Sequence, residues 1–365
     1  MRNIKMKRTL PKQFRILLYG IVCASIGWVG YRFMKVTLDE YKTSTRVYQT
    51  IYASHQYRHP SCSDIHDDTP SCYYIDLTDF LESVRTGYYG NPPFDSSGIP
   101  IVDYHHLGWN EIGKGRFYNP VTIAQYALAV YDKYLSSRQK QYKLTFLNQA
   151  KWFLRHGDRG LYRYQFAIPS RDLEPGWISA MAQGQAISVL IRAYIETGDT
   201  CFMEKAKEAI RPFYKDVRSG GVVFHNGQDI WLEEYPHPSS PSHVLNGAIF
   251  ALFGLWDYYR VTNDERVKHL FDRAVNTLAR NLHRYEKDGW VLYELSDKHF
   301  VRGAYYPLHI ALLRALFGIT NKIEFAYYAD RWDNVYALYG IPYRVKGTVK
   351  GVKRRLYHKL KTLFK

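Results

Sequence analysis

Between residues 100 and 340, apolar side chains recur every three or four positions in stripes broken by Gly, Pro and Asn, a pattern that predicts helices in antiparallel pairs. Asn119 before Pro120 marks a capped helix start, with Ile123, Tyr126, Ala127, Val130 and Tyr134 on one face. A second helix, about Tyr142 to Arg155, returns toward Gly157. Pro175 opens the next, with Ile187, Leu190, Ile191 and Tyr194 in a stripe that stops at Gly198, and Cys201 to Val217 runs back. Leu245 to Arg260 and Asp264 to His283 form a third pair; Pro307 to Phe317, stopped at Gly318, and Ile323 to Leu338 form a fourth. The first helices begin near residues 120, 177, 244 and 306, an unequal spacing that fits hairpins set in a ring better than a strict solenoid.

Short extended runs, Leu161 to Ile168, Gly221 to Trp231 and Trp290 to Leu295, each join a return helix to the first helix of the next pair. Successive antiparallel helices place alternate connections at opposite ends, so all three runs fall at one end. The second run continues into Glu233, Glu234 and Tyr235, after which Pro236, Pro238 and Pro241 bar a helix until Leu245. A loop so stiffened holds two carboxylates, a phenol and Asn246 between strand and helix, as catalytic loops over a rigid scaffold do. A solvated strand end fits the same residues. The connectivity predicts that Glu234, Tyr293 and the residues just before Pro175 and Pro307 meet around one cleft.

Composition changes this picture in two places. Tyr occurs 33 times and aromatics make up 16% of the chain, which suits surfaces that stack on sugar rings and equally suits ordinary packing. The net charge of +16 suggests a polyanion partner until its distribution is followed. Residues 1–36 hold 8 Lys/Arg and no acid, and residues 341–365 hold 9 and no acid, leaving 33 bases against all 34 acids in between. The body is close to neutral and is not expected to grip nucleic acid by bulk charge.

Ile16 to Tyr31 carries no charge and follows Arg2, Lys5, Lys7, Arg8, Lys12 and Arg15, so a single N-terminal transmembrane helix is expected, with the N-terminus cytoplasmic and the body extracytoplasmic. A cleaved signal peptide is the alternative. The expected organisation is a basic cytoplasmic tail and anchor over 1–36, a stem over 37–99, a helical domain over 100–340 and a basic amphipathic tail over 341–365. In that tail Val345, Val349, Val352, Leu356, Leu360 and Leu363 form a stripe opposite basic residues, suited to a membrane surface, a docking partner or a basic tail without fixed structure. Cys62 and Cys72 can close a disulfide in an oxidising compartment, and their spacing, even with His66 between them, is not a zinc pattern. No metal site is expected. The oligomeric state is left open, a homodimer included.

Three blocks carry a resemblance. LEPGWISAMAQGQAISVLIRAY (173–194) and WLEEYP…VLNG (231–247), with GRFYNPVTIAQYAL (115–128) upstream, resemble the C-terminal domain of D-glucuronyl C5-epimerases, enzymes that act on heparan-type chains. The resemblance implies a mainly α, (α/α) toroid-like domain of helical hairpins with short β-hairpins. It also implies inversion of C5 of D-glucuronyl residues within a polysaccharide such as heparosan, giving L-iduronyl. That chemistry removes a hydrogen α to the C6 carboxylate and returns a proton to the opposite face, so it needs two groups and no redox cofactor. No cofactor is expected, in keeping with the lack of a GxGxxG fingerprint.

Carried over motif by motif, the resemblance implies Glu234 and Tyr235 on one face of the sugar and Tyr305 of RGAYYPLHI on the other, with Tyr293 as a further active-site phenol. Tyr118 and Asn246 are implied substrate contacts. Arg302 is the candidate for the C6 carboxylate, which a guanidinium can bind bidentately. His309 is a candidate supporting residue. The same residues admit a uronate lyase, which would expel the C4 substituent after the same proton abstraction, or a glycan-binding module without turnover.

Overall fold

The computed structural model describes residues 72–287, 290–296, 300–301 and 305–335. A short helix, α1 (Thr78–Arg85), precedes four helical hairpins: α2 (Pro120–Ser137) with α3 (Lys140–His156), α4 (Ala180–Thr197) with α5 (Thr200–Ala209), α6 (Leu245–Thr262) with α7 (Glu265–Asn281), and α8 (Tyr305–Thr320) with α9 (323–335). The hairpins turn in one way. Arg138, Gly198, Asn263 and Asn321 each close a first helix at positive φ, between 51° and 71°, with the N–H donating back to the carbonyl four residues earlier. Each is followed by a single residue before the next helix. Gly and Asn tolerate the left-handed conformation at three of the four turns, and the stop at Gly198 is legible for that reason; the stop expected at Gly318 is not one, since α8 runs through it to Thr320 and closes at Asn321.

Helix starts follow side-chain caps. Asn119 Oδ1 accepts from the Val121 and Thr122 N–H groups at 2.8 and 3.3 Å, with Pro120 at the first helical position. Pro175 does not open α4, as its sequence suggests. The helix begins at Ala180 behind Ser179, whose hydroxyl accepts from Ala182 N, while Pro175 and Gly176 shape a turn before it. The return helix α5 is also shorter than its stripe: it gives way to a 3-10 turn at Arg211–Tyr214, where Pro212 lacks the N–H that a longer helix would need.

The first helix of each hairpin is buried on nearly all sides, as Ala180 to Ala193 of α4 illustrates, whereas α3, α5 and α7 bury one stripe. The first helices line up α2, α4, α6, α8, each backed by its own return helix. α4 and α6 meet backbone to backbone: a Cβ on Gly254 would lie 2.1 Å from the Gly184 carbonyl oxygen, so glycine is required at this crossing.

One antiparallel pair precedes the first hairpin, β1 (Val102–Asp103) with β2 (Arg116–Phe117), and two lie between later hairpins, β3 (Val223–Asn226) with β4 (Asp229–Leu232) and β5 (Glu286–Lys287) with β6 (Trp290–Val291); the run expected over Leu161 to Ile168 forms isolated bridges at Leu161 and Ile168 and no strand. In the longest, Val223 pairs with Leu232 and Asn226 with Asp229. They precede α2, α6 and α8, so these connections gather at the end where the buried helices start.

The opposite end is closed by the segment before α1. Asp132, Arg192 and Asp257, all late in α2, α4 and α6, receive it: Tyr73 N–H donates to Asp132, Tyr74 hydroxyl to Asp257, and Arg192 to the Cys72 carbonyl. Residues 72–99, assigned to a stem by composition, thus pack into the helical body, with Tyr73, Tyr74, Leu77 and Leu81 buried. Cys72 is disulfide-bonded, to a partner outside the described residues, and Cys201 is free. The expected anchor at 16–31 and the basic tail also lie outside them; among the described residues no helix is long and apolar enough to cross a membrane.

Candidate active site

Two adjacent carboxylates leave the end of β4 in opposite directions, as alternate residues of an extended chain must. Glu233 turns inward and is fully buried. It accepts from Ser242 N, Ser242 Oγ and His243 N at 3.0 to 3.1 Å and pairs with His243 Nδ1. His243 is held at φ 52°, its ring flat on Trp231 at 4.1 Å and its carbonyl accepting from the Tyr285 hydroxyl at 2.6 Å. Glu233 therefore sews down the loop that the prolines stiffen, and it also receives the first N–H of α4, from Ala180 to its carbonyl at 2.9 Å.

Glu234 faces the first turn of α6. Its Oε2 has no hydrogen-bond partner among the described residues, and it lies where a Cβ on Gly247 would be, 2.4 Å away. Burial raises this carboxyl to about 7; a hydrogen bond from Tyr235 and the charge of Arg171 oppose the shift, and Glu294 and Glu233 add to it. The helix N-terminus beside it favours the ionised form. Gly247→Ala is expected to push the carboxylate aside and, because the new Cβ would also lie 2.7 Å from Glu234 Cβ, to shift the Glu234 segment and lower stability despite the better helix propensity of alanine. A displacement on the order of 1 Å costs roughly 100-fold in turnover, and an unchanged rate with an unchanged melting curve would remove Gly247 from the site.

Around Glu234 stand phenols from several elements. The Tyr235 ring lies 5.8 Å from Trp177, and the Arg171 guanidinium covers it at 4.0 Å. Trp177 in turn stacks on Tyr164 at 3.8 Å. Tyr104 accepts from Asn119 Nδ2 at 2.7 Å and Tyr164 donates to Asn119 Oδ1, so the cap of α2 also orders this wall. Tyr293 meets Tyr305 edge-on at 5.2 Å, and its carbonyl accepts from Leu245 N–H at 3.2 Å, which ties its segment to the start of α6. Burial and the Glu234 charge hold Tyr235 and Tyr293 well above the usual phenol range. Tyr305, first residue of α8, keeps 45% of its surface exposed, and burial of its hydroxyl side with the Glu234 charge pushes it up to about 12. His309 is fully buried one turn later; burial pushes it down to about 3, so it is a neutral imidazole, with Nε2 3.5 Å from Asn246 Oδ1.

The fold thus brings together Glu234, Tyr235, Tyr293, Tyr305, Asn246 and His309. Arg302 lies outside the described residues. Tyr118 points elsewhere: its hydroxyl donates to Asp95 at 2.6 Å and its ring rests against Trp152 and His156, while its neighbours Phe117 and Asn119 turn toward Tyr104. Arg171, Glu294, Tyr104, Tyr164 and Gly247 join the site without having been singled out by spacing. Arg171 bonds Glu294 across 123 positions of sequence, a pairing that no local pattern announces. Gly247 carried a signal in retrospect, being a glycine in the first turn of an otherwise apolar helix. Among the described residues, no three His, Cys, Asp or Glu side chains group as metal ligands.

The domain is a set of helical hairpins whose buried first helices pack side by side, with a carboxylate and several phenols at their starts, and the comparisons give it a family. Residues 156–334 match the family described as D-glucuronyl C5-epimerase C-terminus, and that part of the chain belongs to it. Over 221 residues the chain is 31% identical to the D-glucuronyl C5-epimerase of Caenorhabditis elegans, covering 54% of this chain and 36% of that protein. It is 27% identical over 176 residues to an uncharacterised protein of Methanocaldococcus jannaschii, covering 47% of this chain and 56% of that one. The aligned part thus spans between about a third and a little over half of these relatives' lengths. Among solved structures, cellobiose 2-epimerase from Bacillus thermoamylovorans matches with a TM-score of 0.50 at 13% identity, over 72% of this chain and 74% of that one. That likeness shows the toroid-like helical fold. The unsaturated glucuronyl hydrolase of a Bacillus species matches at TM-score 0.41 and 14% identity, over 72% and 65% of the two chains.

Proposed function

We propose that the chain inverts C5 of D-glucuronyl residues within a polysaccharide, giving L-iduronyl residues, by abstraction of the C5 hydrogen on one face and proton return on the other. The observation that carries this reading is a near-neutral carboxyl, Glu234, in electrostatic contact with phenols from separate hairpins, Tyr235, Tyr293 and Tyr305. Family membership of residues 156–334 supports it.

Each group has one task. The Glu234 carboxylate, ionised above about 7, takes the C5 hydrogen as a proton, and the C5–H electron pair moves into the C6 carboxylate as an enolate dianion. Tyr305, neutral because its phenol lies near 12, gives its proton to C5 from the other face and becomes a phenolate. The proton on Glu234 must then return to Tyr305, and Tyr293, in contact with the Tyr305 ring and electrostatically coupled to Tyr235 and Glu234, is the group between them. His309 stays neutral beneath Tyr293, orienting rather than exchanging protons. The proposed partner is a glucuronate-containing polymer held at the site rather than by bulk charge, since the body between residues 37 and 340 is close to neutral. The body is proposed to lie outside the cytoplasm behind an anchor at 16–31, a placement that suits the disulfide at Cys72; protease added to sealed vesicles whose cytoplasmic face is outward checks it, and a protected body with the N-terminal tail removed is the result required.

The test is incubation of the full chain with heparosan-type polymer in deuterated water. Deuterium at C5 together with iduronate signals is expected; new ultraviolet absorbance would mean elimination instead, and binding without exchange would leave a glycan-binding module. Tyr305→Phe is expected to lower net inversion by roughly 100-fold or more with an unchanged melting curve, since half of that ring already faces solvent. Wild-type inversion in this variant would remove Tyr305 from the chemistry.

A further inference from the structure

The reading above requires a cation for the C6 carboxylate, and one stands inside the described site. Arg171 is at the end of the 3-10 turn Pro169–Arg171, a loop closed by the Ile168 and Leu173 backbone groups bonding each other at 2.8 and 3.2 Å. Ser170 pins the same turn to Glu111 through its N–H and its hydroxyl, both at 2.9 Å. The loop therefore presents its guanidinium from a fixed base. That guanidinium lies 4.0 Å above the Tyr235 ring, with 24% of the side chain open to solvent. One donor, Nη2, is given to Glu294 at 2.7 Å; among the described residues the other guanidinium donors make no hydrogen bond. Glu294 is itself held, with 4% of its side chain exposed and its second oxygen accepting from Ser296 at 2.9 Å.

We propose that Arg171 binds the C6 carboxylate of the uronate residue through its free donors, and that Glu294 is the positioning residue that holds it over Tyr235. The inference rests on the proposed function and deepens it by naming what selects a uronate over a neutral sugar. A planar guanidinium keeps a fork of donors for a second carboxylate after one is used, which an ammonium would not do with fixed geometry. Held above Tyr235 and next to Glu234, it places the carboxylate carbon adjacent to the C5 hydrogen that Glu234 removes. There it also meets the negative charge that grows on the carboxylate as the proton leaves.

The pair also brackets Glu234 electrically. The groups facing that carboxyl are Glu233 and Tyr235 on its own segment, Arg171 from the Pro169 turn, Tyr293 and Glu294 from the 290–296 segment, Tyr305 of α8, and Tyr104 and Tyr164 beside α2. Arg171 lowers its proton affinity and Glu294 raises it. Removing one or the other should therefore move the acid limb of the pH profile in opposite directions.

The experiment uses the full chain as wild type, Arg171→Gln, Arg171→Lys and Glu294→Gln, with heparosan-type polymer and the same polymer reduced at C6 to neutral glucose. Arg171→Gln is expected to weaken binding of the uronate polymer by at least about tenfold while leaving the reduced polymer bound as by wild type. Its acid limb should lie at higher pH, that of Glu294→Gln at lower pH, and Arg171→Lys should recover part of the affinity. Equal affinity of wild type and Arg171→Gln for the uronate polymer, or no preference of wild type for uronate over reduced polymer, overturns the proposal. So does an acid limb that moves the same way in both variants. The binding comparison does not need turnover, so absence of C5 exchange in wild type would defeat the epimerase reading and still leave Arg171 decided.

Discussion

Replacing Glu234 by glutamine is expected to abolish C5 exchange and, at the same time, to make the chain harder to unfold. The first effect follows from losing the base and should be on the order of 1,000-fold. The second follows from the burial that tunes it. A carboxyl raised from 4.5 to about 7 in the folded chain binds its proton more tightly folded than unfolded, so ionising it opposes folding. Below about 4.5 both states are protonated and the wild-type carboxyl carries no penalty. Between about 4.5 and 7 the penalty grows, and above 7 it is fully present, at on the order of 3 kcal/mol from 1.36 kcal/mol per unit. Glutamine never ionises, so its advantage should be absent at pH 4 and reach a maximum above pH 7, less whatever its own amide lacks in partners. Urea unfolding at several pH values reads this directly, and an inactive variant with wild-type stability at pH 8 would mean that Glu234 is not a strained, buried base.

Asp257→Ala should produce the opposite result, a chain that is badly destabilised with its chemistry intact. Asp257 and Arg192 form an ion pair at 2.6 Å with no solvent exposure on either side chain. Asp257 also accepts from the Tyr74 hydroxyl at 2.6 Å, and Arg192 also donates to the Ser188 and Cys72 carbonyls. Removing the carboxylate leaves a guanidinium buried without its counter-charge, which typically costs about 3–5 kcal/mol. Asp132 is the nearby buried carboxyl, raised to about 7 chiefly by burial and lowered by Arg192 among others. In the variant its ionised form is the counter-charge left near Arg192, so the loss should be larger at about pH 5 to 6, where Asp132 is protonated, than at about pH 8. A chain that unfolds at wild-type urea concentrations would show that this end of the bundle is held by apolar contact alone. Exchange at C5, measured below the unfolding transition, should remain near wild type, because Asp257 sits late in α6 and Glu234 meets its first turn.

These two substitutions separate the ends of one helix, and they also separate what local pattern conveys from what it does not. The stripes, the Asn119 and Pro120 start and the stop at Gly198 belong to neighbouring residues, so hairpins and connections could be read in order. The resemblance of the EEYP and VLNG blocks pointed to the loop that carries Glu233 and Glu234. It also named Glu234 rather than Glu233, which alternation alone cannot do, because alternation assigns opposite sides without naming the inner one. Tyr118, named by the same resemblance, lies away from the aromatic wall, because it alternates with Phe117 and Asn119, and they are the two that turn to it. The Pro175 start failed because a proline fits a turn before a helix as well as its first residue.

By itself, then, the sequence determined the helical hairpins and the end at which the candidate site lies, since periodicity and caps are set by residues within a few positions of one another. Only the tertiary structure decided that Glu233 anchors while Glu234 faces Gly247, that Arg171 reaches Glu294, and that Tyr73 and Tyr74 close the far end. Those are meetings between segments tens to more than a hundred residues apart, and which side chains meet depends on how helix faces pack, a choice made by burial and close approach rather than by local pattern.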